Sequence, residues 1–137
     1  MHLGDYYDDG ETFKELYPHI PLHQVPGNCD VYRCPPGIHA RLCYDVCGVR
    51  LFMTHGHKYG VKGSTAMLRA EARAMEAQAA LYGHTHVAEV DREENGMWVM
   101  NPGTAGYGGG SAGLIETDGK TILSCRIITG ENLEEFV

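Results

Sequence analysis

Residues 79–86 read AALYGHTH. An apolar run too short for a helix passes through a glycine into two histidines. That pattern describes a short buried strand ending in a loop that carries ligand-type side chains. Working outward from it, the same design returns three times. MTHGH (53–57) ends an apolar run and delivers His55 and His57. PGNCD (26–30) follows a Pro-Gly turn with Asn28, Cys29 and Asp30, and LGD (3–5) delivers Asp5. Glycine beside a ligand-type residue permits tight turns and close backbone approach. Each piece alone is weak: Gly-Asp is a turn in most sequences, and asparagine after glycine is commonly a left-handed turn residue. HGH and GHTH are each compatible with a plain surface loop. Two apolar-strand-to-histidine junctions in one chain are hard to assign to chance, however. Neutral imidazole ligates zinc, manganese or iron, and a carboxylate can bridge two cations. Two metals about 3.5–4 Å apart clamp a phosphoryl oxygen and activate water. His2, His19, His23 and His39 lack such a context and read as surface or packing residues.

Around these junctions the element pattern is mixed. ETFKELY (11–17) predicts a short helix before Pro18, and HQVPGNCD (23–30) a short strand approach and a turn. IHARLCYDV and VRLFMTH predict a hairpin over 38–54 about Gly48. Residues 63–80 are the clearest helix, alanine-rich and capped by Ser64. MWVMNPG, AGLIETDG and TILSCRIITG predict later strands, the first two divided by the glycine-rich GTAGYGGGSAG (103–113). The expectation is an α/β sandwich in one domain over 1–137, with its chemistry on loops at strand ends.

Composition narrows the classes. A chain of 137 residues with 43% hydrophobic content buries one core. No apolar run reaches the roughly 18–20 residues that span a bilayer, and no signal-peptide pattern is visible. A formal charge of −7 argues against non-specific nucleic-acid binding. The five cysteines follow no zinc-ribbon spacing and read as reduced thiols, so a cytoplasmic location is expected. Lys58 and Lys62, just after His57, are the basic residues placed to steer an anion; such lysines are commonly solvated loop charges.

Taken together, the four segments resemble the calcineurin-like metallophosphoesterase superfamily, and most closely its small bacterial and archaeal branch of YfcE-like phosphodiesterases. That family's motif series is D-x-H, G-D, G-N-[HC]-D, H-G-H, G-H-T-H and N-P-G-S. The last five stand here in order as Gly4-Asp5, Gly27-Asn28-Cys29-Asp30, His55-Gly56-His57, Gly83-His84-Thr85-His86 and Asn101-Pro102-Gly103-Thr104. The resemblance implies a metallophosphoesterase-type β-sandwich flanked by helices. It makes Asp5 the metal-bridging carboxylate, with Asn28, His55 and His84 completing one metal's shell and His86 serving the other. Asn28 and His57 fall at the catalytic site, and Cys29 and His57 toward the substrate; Cys29 stands where larger relatives place a histidine that assists the leaving group.

The implied activity is hydrolysis of a small phosphoester, in particular a phosphodiester, by metal-activated water. Manganese is the foremost cofactor, with zinc, iron or nickel as alternatives, and a complete site holds up to two ions. No nucleic-acid or membrane partner is implied. D-x-H does not precede Asp5 in this sequence, so the expectation is a chain without the family's first βα unit. Its His86 metal position would then have only Asp5 and His86, giving a one-metal or metal-poor protein of impaired activity. An exposed strand edge would favour self-association into homo-oligomers. The rival reading is a non-catalytic scaffold or protein-binding module on the same fold, as in the eukaryotic retromer subunit. A structural zinc domain is disfavoured because a cysteine-rich cage is lacking.

Overall fold

The computed structural model describes residues 1–106 and 110–132. In chain order the elements are α1 (Tyr7–Leu16), β1 (Arg41–Val46), β2 (Val49–Thr54), α2 (Ala66–Ala74), β3 (Ala79–Leu81), β4 (Glu89–Arg92), β5 (Trp98–Asn101), β6 (Ser111–Thr117) and β7 (Ile122–Thr129). Single 3₁₀ turns occupy Asn28–Asp30 and His57–Tyr59.

The Ala-Ala-Leu tripeptide of β3 is the middle of a five-stranded mixed sheet ordered β1-β2-β3-β5-β4. It pairs parallel with β2 on one side and with β5 on the other. A strand buried on both faces shows no polar alternation, which is why this run is apolar throughout. The two-residue period sorts its side chains between two cores. Leu51, Met53, Ala79, Leu81 and Met100 face one layer, where they meet Ile122 and Cys125 of the β6–β7 hairpin. Phe52, Ala80 and Val99 face the other and pack on Leu68 and Ala72 of α2. Because β2, β3 and β5 run parallel, their carboxyl ends open along one edge. In open α/β sheets that edge is where ligands bind.

The hairpin forms as expected, with Cys47 and Gly48 at its turn in left-handed backbone. The predicted helix over 63–80 is shorter. It runs only from Ala66 to Ala74, with the Ala66 N–H donating to Ser64 Oγ at 3.1 Å. Glu76 turns left-handed just after it. Gln78 then joins the sheet, its N–H donating to the Arg50 carbonyl and its own carbonyl accepting from Trp98 N–H. Pairing in the sheet outweighs the helix propensity of alanine here. The first helix begins at Tyr7 rather than residue 11. β4, with the polar sequence EVDR, carries almost no hydrophobic signal and was not expected. The strand approaches at 1–5 and 23–25 reduce to one parallel bridge between His2 and Gln24. The cysteines among the described residues are all free thiols, and no helix is long and apolar enough to cross a membrane.

Tyr82 leaves β3 beneath the histidine loop, 2% exposed, with its hydroxyl donating to Glu89 Oε2 at 3.1 Å. Burial, then the Glu89 carboxylate, push its phenol up to about 12. A phenol raised in the folded state stabilises the fold below the unfolded value near 10, and the contribution is lost as pH rises through about 12. Spectrophotometric titration should therefore show a late tyrosinate step that Tyr82→Phe removes. An identical late step in the variant would sink the assignment.

Candidate metal centre

The loops after β2 and β3 and the two at the N-terminal end converge on one imidazole. His55 is 2% exposed, and its Nδ1 lies 2.7 Å from the Leu3 carbonyl. A carbonyl can only accept, so the proton of the neutral ring sits on Nδ1 and Nε2 presents a lone pair. That lone pair meets three electron-rich atoms: Asn28 Oδ1 at 3.0 Å, His84 Nδ1 at 3.2 Å and Asp5 Oδ2 at 3.5 Å. The Asn28 amide nitrogen is turned the other way, 3.7 Å from Cys29 Sγ. A proton on His84 Nδ1 relieves only one of these contacts. A cation among them would relieve all of them.

Backbone strain is concentrated at the same place. Asp5, Tyr6, His84 and His86 all have positive φ without being glycine, and among the described residues only Cys47 and Glu76 share that conformation. A left-handed non-glycine residue costs about 1 kcal/mol or more and persists where its surroundings over-determine it. The glycines beside these residues are there for space. A Cβ on Gly4 would stand 2.6 Å from His55 Nδ1, and one on Gly27 would overlap the Asp5 carboxylate. Only glycine lets the Gly-Asp and Gly-Asn loops touch.

The charge states follow from these contacts. Burial raises the Asp5 carboxyl, but the Cys29 N–H, which donates to Oδ1 at 3.1 Å, and the nearby His55 and His84 outweigh it and hold the acid below its usual range. The negative charge of Asp5 in turn raises the Cys29 thiol, keeping it protonated. Burial, then the neighbouring His55, lowers both His84 and His57. They are therefore neutral at pH 7, the ligating form of imidazole.

Of the residues singled out in the sequence, Asp5, Asn28, His55 and His84 come together. His57 lies beside them, its ring 5.3 Å from His55 and 6.1 Å from His84, with a buried Nδ1 that has no partner among the described residues. Cys29 is exposed at the rim. His86 is not drawn in: it is exposed and makes no hydrogen bond or ring contact among the described residues. Nor do three His, Cys, Asp or Glu side chains among them close into a ready cage. The convergent set contains an amide oxygen and is open.

Three supporting groups had no role assigned from sequence. One is the Leu3 carbonyl. Another is Asp30, fully buried, which accepts from Tyr7 N–H at 2.9 Å and Gly27 N–H at 2.7 Å. The last is Asn101, also fully buried, which donates to the Gly83 carbonyl and Thr85 Oγ1 and accepts from Gly103 N–H. It ties the GHTH loop to the end of β5. Asp30 and Asn101 both stand inside the recognised motifs, which was their only signal.

Two imidazoles, a carboxylate and an amide oxygen form the mixed N/O set that suits a borderline divalent cation. Ligand atoms about 2.0–2.2 Å from such an ion stand roughly 3.0–3.5 Å from one another. The three separations from His55 Nε2 fall in that range, as one shared ion requires of them.

Several solved structures share this fold. A conserved Streptococcus pneumoniae protein described as a predicted phosphoesterase superposes with a TM-score of 0.72 at 21% identity, covering 93% of this chain and 87% of that one. A Thermotoga maritima protein solved by NMR gives 0.61 at 26% identity, over 93% and 77%. Vps29 from Entamoeba histolytica, complexed with zinc, gives 0.65 at 18% identity, over 88% and 76%. No curated protein matches the chain. The family model described as the calcineurin-like phosphoesterase superfamily domain matches residues 1–120. On that match the chain belongs to the calcineurin-like phosphoesterase superfamily.

Proposed function

We propose that the chain is a divalent-metal-dependent phosphoesterase acting on a small phosphodiester. The observation that carries this reading is the His55 Nε2 lone pair, fixed by the Leu3 carbonyl and facing Asn28, His84 and Asp5. Those four side chains would hold one ion, with manganese foremost and zinc, iron or nickel as alternatives. When bound, such an ion supplies positive charge to the phosphoryl oxygens and makes water a stronger nucleophile at neutral pH. The chain's own residues do the positioning. The Leu3 carbonyl fixes the His55 tautomer, and Asp30 and Asn101 hold the ligand loops in place. Neutral His57 can meet a phosphoryl oxygen, and the protonated Cys29 thiol at the rim can face the leaving group. Neither acts as a covalent nucleophile. With His86 apart from the cluster, a second ion would be weakly held.

The test is metal bound per chain after manganese loading and desalting, read beside hydrolysis of bis(p-nitrophenyl) phosphate. One ion per chain with metal-dependent turnover, both reduced in His84→Ala, is expected. A second ion per chain would mean that further ligands complete the His86 position. No ion and no turnover would overturn the proposal and leave the scaffold reading, which the fold similarity to Vps29 keeps open.

A further inference from the structure

The chain has an excess of carboxylates, with 18 acidic against 11 basic residues, so a cation without a carboxylate partner calls for a reason. Lys14, Arg41, Arg50, Arg69, Arg73 and Arg126 each pair with a carboxylate. Arg92 lies on Trp98, and Lys120 sits at the turn between β6 and β7. The remaining cations, Arg33, Lys58 and Lys62, form no ion pair among the described residues, and all three flank the metal centre. Lys58 follows His57 directly, and the positive charge of Lys62 reaches His84.

Arg33 is the most organised of them. Its guanidinium rests 5.2 Å from the centroid of the Tyr6 ring. Tyr6 follows Asp5 immediately, and the two share left-handed backbone, φ 57° after φ 59°. The unusual turn that sends the Asp5 carboxylate inward thus leaves the next ring outward, 57% exposed, as a platform. The Arg33 N–H donates to the Asp30 carbonyl at 2.9 Å, fixing the backbone of this arm to the Asn28–Asp30 turn that carries Asn28. Arg33 is close enough to Cys29 to act on its thiol, and the Cys29 N–H bonds Asp5. An arginine stacked on a ring keeps its fork of N–H donors free for a planar anion.

We propose that Arg33, positioned by Tyr6, is a specificity-determining residue that binds an anionic group of the substrate beside the Asn28–Asp30 turn, so that the preferred phosphodiesters carry a second negative charge beyond the scissile phosphoryl. This rests on the phosphodiesterase reading of the same site. Cys29 and Arg33 lie together on the Asn28–Asp30 side of the centre. Lys58 and Lys62 accompany His57 and His84 instead.

The experiment compares two diesters that differ only by a carboxylate, diphenyl phosphate and phenyl 4-carboxyphenyl phosphate. Calorimetric binding to the manganese-loaded chain is measured together with kcat/KM. The wild type should prefer the carboxylated diester by about tenfold, the worth of one charge-assisted contact. Arg33→Ala should erase that preference while leaving binding of diphenyl phosphate and the metal content unchanged. Tyr6→Leu should weaken the preference partly, through loss of the platform. Equal affinity of the wild type for both diesters, or an equal loss on both in Arg33→Ala, overturns the proposal, as does binding of neither. Selective binding without turnover would support the anion site and count against the hydrolytic reading alone.

Discussion

His55→Ala protein should emerge from manganese loading and desalting with no more metal than a buffer blank, whereas His86→Ala should keep close to the wild-type amount. The contrast follows from position. His55 Nε2 is the atom that Asn28, His84 and Asp5 all face, within 3.0–3.5 Å. Removing it deletes a donor and also the ring that spaces the others. Loss of a group merely supporting a metal ligand already costs about 10–100-fold in affinity, so loss of the hub should exceed a hundredfold. His86, exposed and outside the cluster, has no comparable lever. His55→Gln is the control for folding, since it retains a polar side chain near the Leu3 carbonyl. It should unfold close to the wild-type temperature yet still fail to retain manganese. Wild-type metal content in either His55 variant would show that the convergence of donors around Nε2 has another purpose.

What could be read in advance tracks how local the information is. The hairpin over 38–54 was legible because its turn and its apolar run lie side by side in sequence. β4 was not, because Glu89–Arg92 is an edge strand whose formation depends on pairing with β5 and hardly on its own side chains. The long helix was over-extended for the converse reason. Alanine propensity ran on to residue 80, while Gln78 and the residues after it were claimed by β2 and β5. In the site, the ligand-type residues announced themselves by type beside glycine. The groups that orient them did not: a backbone carbonyl at Leu3 has no sequence signature, and the burial of Asp30 and Asn101 becomes visible only when distant loops are brought together. His86 has the same motif as His84 and the same left-handed backbone, yet makes no hydrogen bond or ring contact among the described residues, as a residue expected at a separate metal position would.

Asp30 should be the costliest single residue to lose, although it faces no metal donor. Its carboxylate is fully buried and accepts two backbone N–H groups, one from Tyr7 at the first turn of α1 and one from Gly27 before the Asn28–Asp30 turn. Tyr7 N–H is a helix-terminal donor with no partner inside the helix, and both residues are buried, so water does not readily replace the carboxylate. Each hydrogen bond to a charged acceptor contributes about 1.5–3 kcal/mol, so Asp30→Ala should cost about 3–6 kcal/mol. That is a large share of the roughly 5–15 kcal/mol that holds a typical domain, and the midpoint of thermal unfolding should fall by at least about 10 °C. Asp30→Asn retains an acceptor for one N–H but turns an amide donor toward the other, so its loss should be intermediate. The same bonds set where Gly27 lies against Asp5 and where Asn28 meets His55. Metal retention should therefore weaken in Asp30→Asn even at temperatures where the protein is fully folded. A variant that lost stability but kept its metal affinity would separate the two roles, making Asp30 an anchor for α1 and removing it from the support of the centre.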